Sequence, residues 1–358
     1  MSLTLPLTDP WRLEILIVRG GSHSSGERSA LRRDVERGLL LRLRKGAYVD
    51  RGAFEALTPE GRHLVRMRAL SAVSDGPTVF SHFSAGVAHG LPVLRSRLAA
   101  LHIIPATTNG TAVGTAPHRF PLRQDEVVEV HGLLVTTSTR TVVDIAGGSP
   151  FEEGVMAADA LLNSGVPREL LLLAVDLAGP RQAAQRIGDV VAFAHPAAES
   201  ANESRGRVTM MRLGVEVPQL QREFLLPSGG RAFPDFWFPE ADAVAEADGD
   251  VKYRSPVLAS AGAGAAVLAE KHREDELRSL VAALARFGWQ QSGSTALLGP
   301  VLGRAGVLPT RPRTVLADYA AEARTARARF VPFVPRRPPR GVGDVSAGWR
   351  PALGDDWR

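Results

Sequence analysis

The spacing of apolar positions changes period several times along the chain. Residues 11–18 (WRLEILIV) predict a short helix, and "GERSALRRDVERG" a second, with Ala30, Leu31 and Val35 inward and Gly38 as its stop. "LLLRLRKGAYV" then alternates, which predicts strand, "RKG" turn, strand. Helix, helix, basic hairpin is the order of a winged helix-turn-helix. Helical spacing returns over 59–74 and over "FSHFSAGVAHGL" (80–91), with Ser81 or Ser84 as its cap.

From Leu101 to about Ile145 the pattern is that of strands ("ALHIIPA", "DEVVEVHGLLVTT"), closing on "STRTVVDIAG". Residues 151–192 are helical in spacing. A further helix is expected from about 197 to Gly214, with Pro196 before it as a domain boundary. "QLQREFLLP", "RAFPDFWF" and "AVAEADG" form a strand meander turned by "PSGG" and "PEAD". "AVLAEKHREDELRSLVAALARFG" reads as one long helix and "WQQSGSTALLG" as a last, poor strand. From about 323 the chain is rich in Arg and Pro. It is expected to be disordered, with non-specific affinity for acidic polymers. The class is α/β, of the α+β kind.

Composition narrows this picture. At 358 residues, 44% hydrophobic and 23% charged, the chain is ordinary globular material with room for two or three domains. No apolar run is long enough for a bilayer, no signal peptide is recognisable, and the absence of Cys excludes disulfides and thiolate metal sites. The expectation is a cytoplasmic protein. A net charge of +5 and a pI near 10.1 lean towards polyanionic partners. Only Lys45, Lys252 and Lys271 are lysines among 43 basic residues. Arg and Lys are not interchangeable where a compact ammonium is needed.

The chemistry concentrates in "PDFWFPEADAVAEADGDVKY" (234–253). If "PEAD" is the turn, Asp235 and Glu246 stand directly opposite across a hairpin, with Asp248 two residues further on the same face. Opposed carboxylates are unfavourable unless protonated, splayed into water or neutralised by a cation. A hard ion such as Mg²⁺ suits a few carboxylates plus waters. Lys252 follows on the alternating face, where it would orient a metal-bound water or offset phosphate charge, and Glu203 on the preceding helix offers another acid.

On "ANESRGR", "LGVEVPQLQ", "RAFPDFWFPEADAVAEADGDVKY", "AEKHREDELR" and "FGW", the stretch 197–300 resembles the PD-(D/E)xK nuclease superfamily, in its small Vsr-like endonuclease branch. The resemblance implies a restriction-endonuclease-like αβββαβ domain over 196–308, and Mg²⁺ or Mn²⁺ bound by Glu203, Asp235 and Glu246. It makes Asp235 the acid of the "PD" element and Glu246 the second acid. Asp248 stands where the simple motif has lysine, and Lys252 where many relatives have His or Lys. Lys271, Arg273, Glu274, Asp275 and Arg278 match the basic-acidic helix. The family's final strand is apolar with an arginine, whereas the strand expected here reads "WQQSGSTALL".

Towards the N-terminus, Arg28, Arg32, Arg33 and Arg37 recur along one helix side, and Arg42, Arg44 and Lys45 crowd the hairpin. A basic helix with a basic wing holds a groove and its flanking phosphates. "LRRDVERGLLLRLRKGAYV", "FSHFSAGVAHGLPVL", "LHIIPA" and "LLVTTSTRTVVDIA" resemble the AbiEi-type antitoxins of type IV toxin–antitoxin systems, over roughly 10–146. That implies a winged-helix DNA-binding module over 1–75, a mixed α+β region over 76–192, and regulation of transcription. The segment before "SALRRDVERG" is short for the middle helix of a complete motif. His82, His89, His102 and His131 lack a zinc-ligand spacing and read as packing residues, and Arg140 with Asp144 as a structural ion pair. No phosphate-binding GxxxxGK[ST] loop is present.

Together these features predict a metal-dependent DNA endonuclease. The alternative is a non-catalytic antitoxin-like regulator with a degenerate nuclease fold, partnered by a toxin, its own promoter or a second copy of itself in a homodimer. A nuclease acting on RNA is a third reading.

Overall fold

The computed structural model describes residues 9–18, 24–105, 113–178, 183–248 and 263–325. Lys252 and the tail from 326 onward lie outside these residues, as do the side chains of 263–270. The chain is mixed α/β, as its sequence predicts.

The first module departs from the expected order. Residues 11–18 form no helix. Asp9 Oδ1 accepts the Trp11 N–H at 2.9 Å to make a turn, and the chain continues as β1 (Leu16–Ile17). There Leu16 and Ile17 pair antiparallel with Tyr48 and Ala47, so the alternating apolar residues serve a sheet edge. Next comes α1 (Ser25–Glu36), opened by a capping box between Ser24 and Glu27. The hairpin β2 (Leu40–Arg44) and β3 (Ala47–Asp50) turns at Gly46, whose φ is 83°. A Cβ there would stand 2.8 Å from the Val18 carbonyl oxygen, so only glycine fits. The sheet order is β1-β3-β2, and the element order strand, helix, hairpin.

After α2 (Arg51–Glu55), the helix α3 (Pro59–Val73) serves two cores. Val65 packs with Val49, Phe54 and Leu57, while Leu64, Met67 and Leu70 pack beneath the next sheet. That sheet comprises β4 (Val79–Phe80), β5 (Leu101–Ile104), β6 (Thr115–Pro117), β7 (Val127–Val130) and β8 (Leu133–Thr136), in the order β6-β5-β4-β8-β7. α4 (His82–Ala88) packs against it. The helices α5 (Ser138–Gly148), α6 (Phe151–Asn163), α7 (Arg168–Leu177) and α8 (Ala184–Phe193) follow.

α9 starts at Ala201, four residues later than the apolar pattern indicates, because Ser200 is the cap. It stops at Gly214 in the left-handed conformation (φ 69°). The first two meander strands are interrupted: β9 (Gln219–Leu220) from β10 (Phe224–Leu225), and β11 (Arg231–Ala232) from β12 (Phe236–Phe238). β13 (Ala243–Ala247) follows the 239–242 turn.

The long helix expected over 266–288 divides. α10 (Ala263–Arg278) ends before a true strand, β14 (Ala283–Phe287), which pairs parallel with β13. "WQQSGSTALLG" is then not a strand but α11 (Trp289–Ser292) and the start of α12 (Thr295–Arg304). Ser294 caps α12, with its Oγ accepting the Leu297 N–H at 3.3 Å. The last described element, α13 (Leu316–Thr325), carries helix past position 323. The four-stranded sheet runs β14-β13-β12-β9, so helix, three antiparallel strands, helix and strand succeed one another.

One hydrophobic core runs through position 196, from Val142, Val155 and Leu161 to Val208, Phe236, Phe287 and Leu298. Asp159 of α6 and Arg207 of α9, both fully buried, pair across it at 3.2 Å. Arg207 also donates to the Phe193 carbonyl at 2.6 Å.

Candidate functional site

β13 lies between β12 and β14, and its sequence explains where its acids surface. Ala243, Val244 and Ala245 are fully buried, while Glu246 and Ala247 emerge half-buried at the carboxyl end. On β12, Phe238 pairs with Ala243 and Phe236 with Ala245. One step outward Asp235 falls level with Glu246, the register that the hairpin spacing predicts.

The two acids are nevertheless engaged separately. Asp235 Oδ2 accepts the Ala247 N–H at 2.8 Å, and its Oδ1 accepts the Gln221 side-chain amide at 3.2 Å. Gln221 is buried, and its backbone sits at φ 52°, a conformation costly outside glycine. Strain is tolerated where it fixes the Asp235 carboxylate.

Glu203 reaches the same place from the first turn of α9. Ser200 Oγ accepts its N–H at 3.2 Å, and its Oε2 accepts the Glu199 N–H at 2.9 Å. Only 4% of Glu203 is exposed. Burial, and then the nearby charge of Asp235, push its carboxyl pKa up to about 8.

Glu246 faces Arg286 of β14, its partner in the parallel register. Arg286 Nη2 and Nε donate to Glu246 Oε2 at 2.8 and 3.1 Å. The same Nη2 lies 2.8 Å from Glu274 Oε2 on α10, and Nε lies 4.0 Å from Asp248. Burial alone would lower the Arg286 pKa. Glu246, Glu274 and Asp248 outweigh it and hold the guanidinium above its ordinary value. The cation among these acids is therefore an arginine.

The expected ligand set of Glu203, Asp235 and Glu246 thus divides into two neighbouring centres. Glu203 and Asp235 make one; Glu246, Asp248, Glu274 and Arg286 make the other. Among the described residues no group of three or more His, Asp or Glu is arranged to hold an ion. Mg²⁺ needs only one or two carboxylates beside its waters, and Glu203 with Asp235 supplies two.

Asn202 bears on the fit. Its Nδ2 donates to the Asp248 carbonyl at 3.1 Å, tying α9 to the end of β13. Its Oδ1 is buried and has no hydrogen-bond partner among the described residues. An unsatisfied buried acceptor costs ~1–3 kcal/mol. Two close carboxylates and an orphaned acceptor are a donor set that fits a hard cation.

The sequence pointed to Glu203, Asp235, Glu246 and Asp248 but missed Gln221, Asn202 and Arg286. Arg286 was hidden inside an apparent helix, although "ALARF" before Gly288 carries strand alternation. With the strand at 283–287, the last strand is apolar and contains an arginine.

The basic residues are also placed individually. Arg28 and Arg33 are exposed on α1 and Arg37 at its C-terminal cap, and Arg32 is exposed but paired with Glu36 at 3.2 Å. Arg42 and Lys45 are exposed at the hairpin. Arg44 is half-buried and donates to the Val113 carbonyl at 3.2 Å, turned inward instead of towards a groove. On α10, Lys271 is exposed and Arg278 pairs with Glu274 at 2.5 Å.

His82, His89 and His102 are packed into the fold, while His131 is exposed and stacks on Trp11 at 4.4 Å between centroids. His82 and His118 stack at 3.5 Å between centroids, and His102 Nδ1 lies 2.9 Å from His118 Nε2. Burial pushes His63 down to about 4. His102 falls to about 4 through burial and then its neighbours His118, His63 and Arg97. Arg140 and Asp144 form the expected buried pair at 2.9 Å, extended by Glu126 at 2.6 Å. No described helix is long and apolar enough to cross a membrane.

Comparison with family models, curated proteins and solved structures finds no match for this chain.

Proposed function

We propose that this chain binds DNA and that its 196–308 portion, read as a PD-(D/E)xK-type domain, hydrolyses phosphodiester bonds with the aid of Mg²⁺ or Mn²⁺. The observation that carries the reading is the burial of Glu203 beside Asp235 at one end of the four-stranded sheet. Two carboxylates at such close quarters are costly without a cation. Asp235 and Glu203 would hold the metal. When bound, the ion supplies Lewis-acid stabilisation of a phosphoryl oxygen and an acidified water. Gln221 and the Ala247 N–H orient Asp235. Arg286 holds Glu246 in place at 2.8 Å, and Asp248 stands beside them. Lys252, for which the reading reserves the phosphate or water contact, lies outside the described residues.

DNA would be held by Arg28 and Arg33 of α1 and Arg37 at its cap, with Arg42 and Lys45 of the hairpin. A sheet of order β1-β3-β2, with α1 inserted before the hairpin, supports a winged-helix reading in which one helix stands where a full motif has two.

The engagement of Glu246 and Glu274 by Arg286 favours a second reading. A pre-satisfied acid cluster suits an antitoxin-like regulator acting without hydrolysis at its own promoter, as a homodimer or with a toxin. Supercoiled plasmid and linear DNA incubated with Mg²⁺ or Mn²⁺ against EDTA decide between the two. Metal-dependent nicking abolished by Asp235→Asn and Glu246→Ala supports the nuclease. Equal inertness of all three proteins, with salt-sensitive binding to one promoter sequence, supports the regulator.

A further inference from the structure

We infer that Asn202 is a direct ligand of the divalent cation at the acid centre, through its side-chain carbonyl oxygen. The inference rests on the metal-dependent reading above and adds a residue that reading does not use.

The chemistry of the amide fixes which atom is available. The Asp248 carbonyl can only accept a hydrogen bond, so the Asn202 atom 3.1 Å from it must be the donor, Nδ2. The atom left over is Oδ1, an acceptor. Asn202 is only 7% exposed, and Oδ1 has no partner among the described residues.

The surroundings of Oδ1 narrow its chemistry further. Glu203 is the next residue, its carboxylate buried and close to Asp235. The Asp248 carbonyl that holds Nδ2 follows directly on Ala247, whose N–H is bound to Asp235 Oδ2, which brings Asn202 to the acid pair. Glu203 Oε2 and both Asp235 oxygens already accept hydrogen bonds, whereas Asn202 Oδ1 has no donor among the described residues. Three oxygens from Asn202, Glu203 and Asp235, with waters completing the shell, are what Mg²⁺ or Mn²⁺ takes. A neutral amide oxygen adds a ligand without another negative charge to an already crowded pair. The Nδ2 bond to Asp248 pre-orients that ligand, as outer hydrogen bonds do at metal sites.

Mn²⁺ binding to the full chain, measured by calorimetry and by the loss of free-ion EPR signal, tests this without any turnover. Wild type, Asp235→Asn, Asn202→Leu and Asn202→Asp are compared, with thermal melts in EDTA to verify folding. The expected result is that Asn202→Leu weakens Mn²⁺ roughly 10–100-fold, the range in which site-supporting groups act. Asn202→Asp, which keeps an oxygen there, binds at least as tightly as wild type. If Asn202→Leu binds like wild type while Asp235→Asn does not bind, the ligand assignment is overturned and the acid centre stands. If Leu and Asp variants lose affinity equally, Asn202 is only a tether to Asp248, and the assignment again fails. If wild type itself takes up no Mn²⁺, the metal-dependent reading falls and the assignment with it.

Discussion

Replacing Glu203 with glutamine should make the metal-free protein more stable, and increasingly so as pH rises. In the fold the Glu203 carboxyl sits at about 8 against an ordinary 4.5, first because it is buried and then because Asp235 is near. The native chain therefore keeps this proton in the window where the unfolded chain has released it. Stability contributed by the group is complete below about pH 4.5 and is lost as pH climbs towards 8. Linkage gives ~1.4 kcal/mol per pH unit for one proton, so about 2.5 pH units below neutrality amount to ~3 kcal/mol. Glutamine resembles the protonated acid and can still accept the Glu199 N–H. Urea unfolding of both proteins in EDTA at pH 5, 6, 7 and 8 reads the difference directly. Other titrating groups cancel in that difference. The variant should exceed wild type by less than ~1 kcal/mol at pH 5 and by ~3 kcal/mol at pH 7. A difference that does not change with pH, or a variant less stable at pH 8, would refute the reasoning.

Three further outcomes follow from the geometry. Arg286→Met strands Glu246 and Glu274 without their shared counter-charge and should cost ~1–3 kcal/mol in chemical unfolding. A double-mutant cycle with Glu246→Gln should recover part of that loss. Gly206→Ala places a Cβ 2.8 Å from the Phe287 ring and should cost ~1–3 kcal/mol by overpacking, with Phe287→Leu in the same chain restoring some of it in thermal melts. His63 and His102, both held near 4 against an ordinary 6.5, contribute stability that is present above about pH 6.5 and lost as pH falls towards 4. His102→Asn should flatten that acid limb, and proton NMR titration of the imidazoles should place both low.

Local signals carried much of this fold into the sequence. The "PEAD" turn fixed the hairpin register, because the side-chain period of 2 leaves little freedom once a turn is placed. Ser200 and Gly214 bracket α9, although the cap lies three residues inside the expected start. What failed was the discrimination of helix from strand in short apolar runs. Residues 11–18 and 281–288 satisfy both periods, and only their pairing, with β3 and with β13, decides them. At the site, the acids were legible because like charges concentrated in one stretch are conspicuous. Asn202 and Gln221 were not, since an uncharged amide becomes informative only when its burial and partners are known. Glu274 was visible as part of a basic-acidic helix, but its pairing with Arg286 depends on the fold.

The continuity of the core has a mechanical consequence. α3 contributes side chains both to the core under the basic hairpin and to that under the five-stranded sheet. Val93 packs against that second core and also against the large one that reaches β13 and α12. Asp159 and Arg207 then clamp the passage from α6 to α9. Close-packed interiors transmit displacement instead of absorbing it. Under the proposed reading the molecule is a ruler, with the duplex gripped at one end and the acid centre at a set distance along it. Cleavage would then fall at a constant offset from the bound sequence, and the ends of the fragments would record the length of the protein.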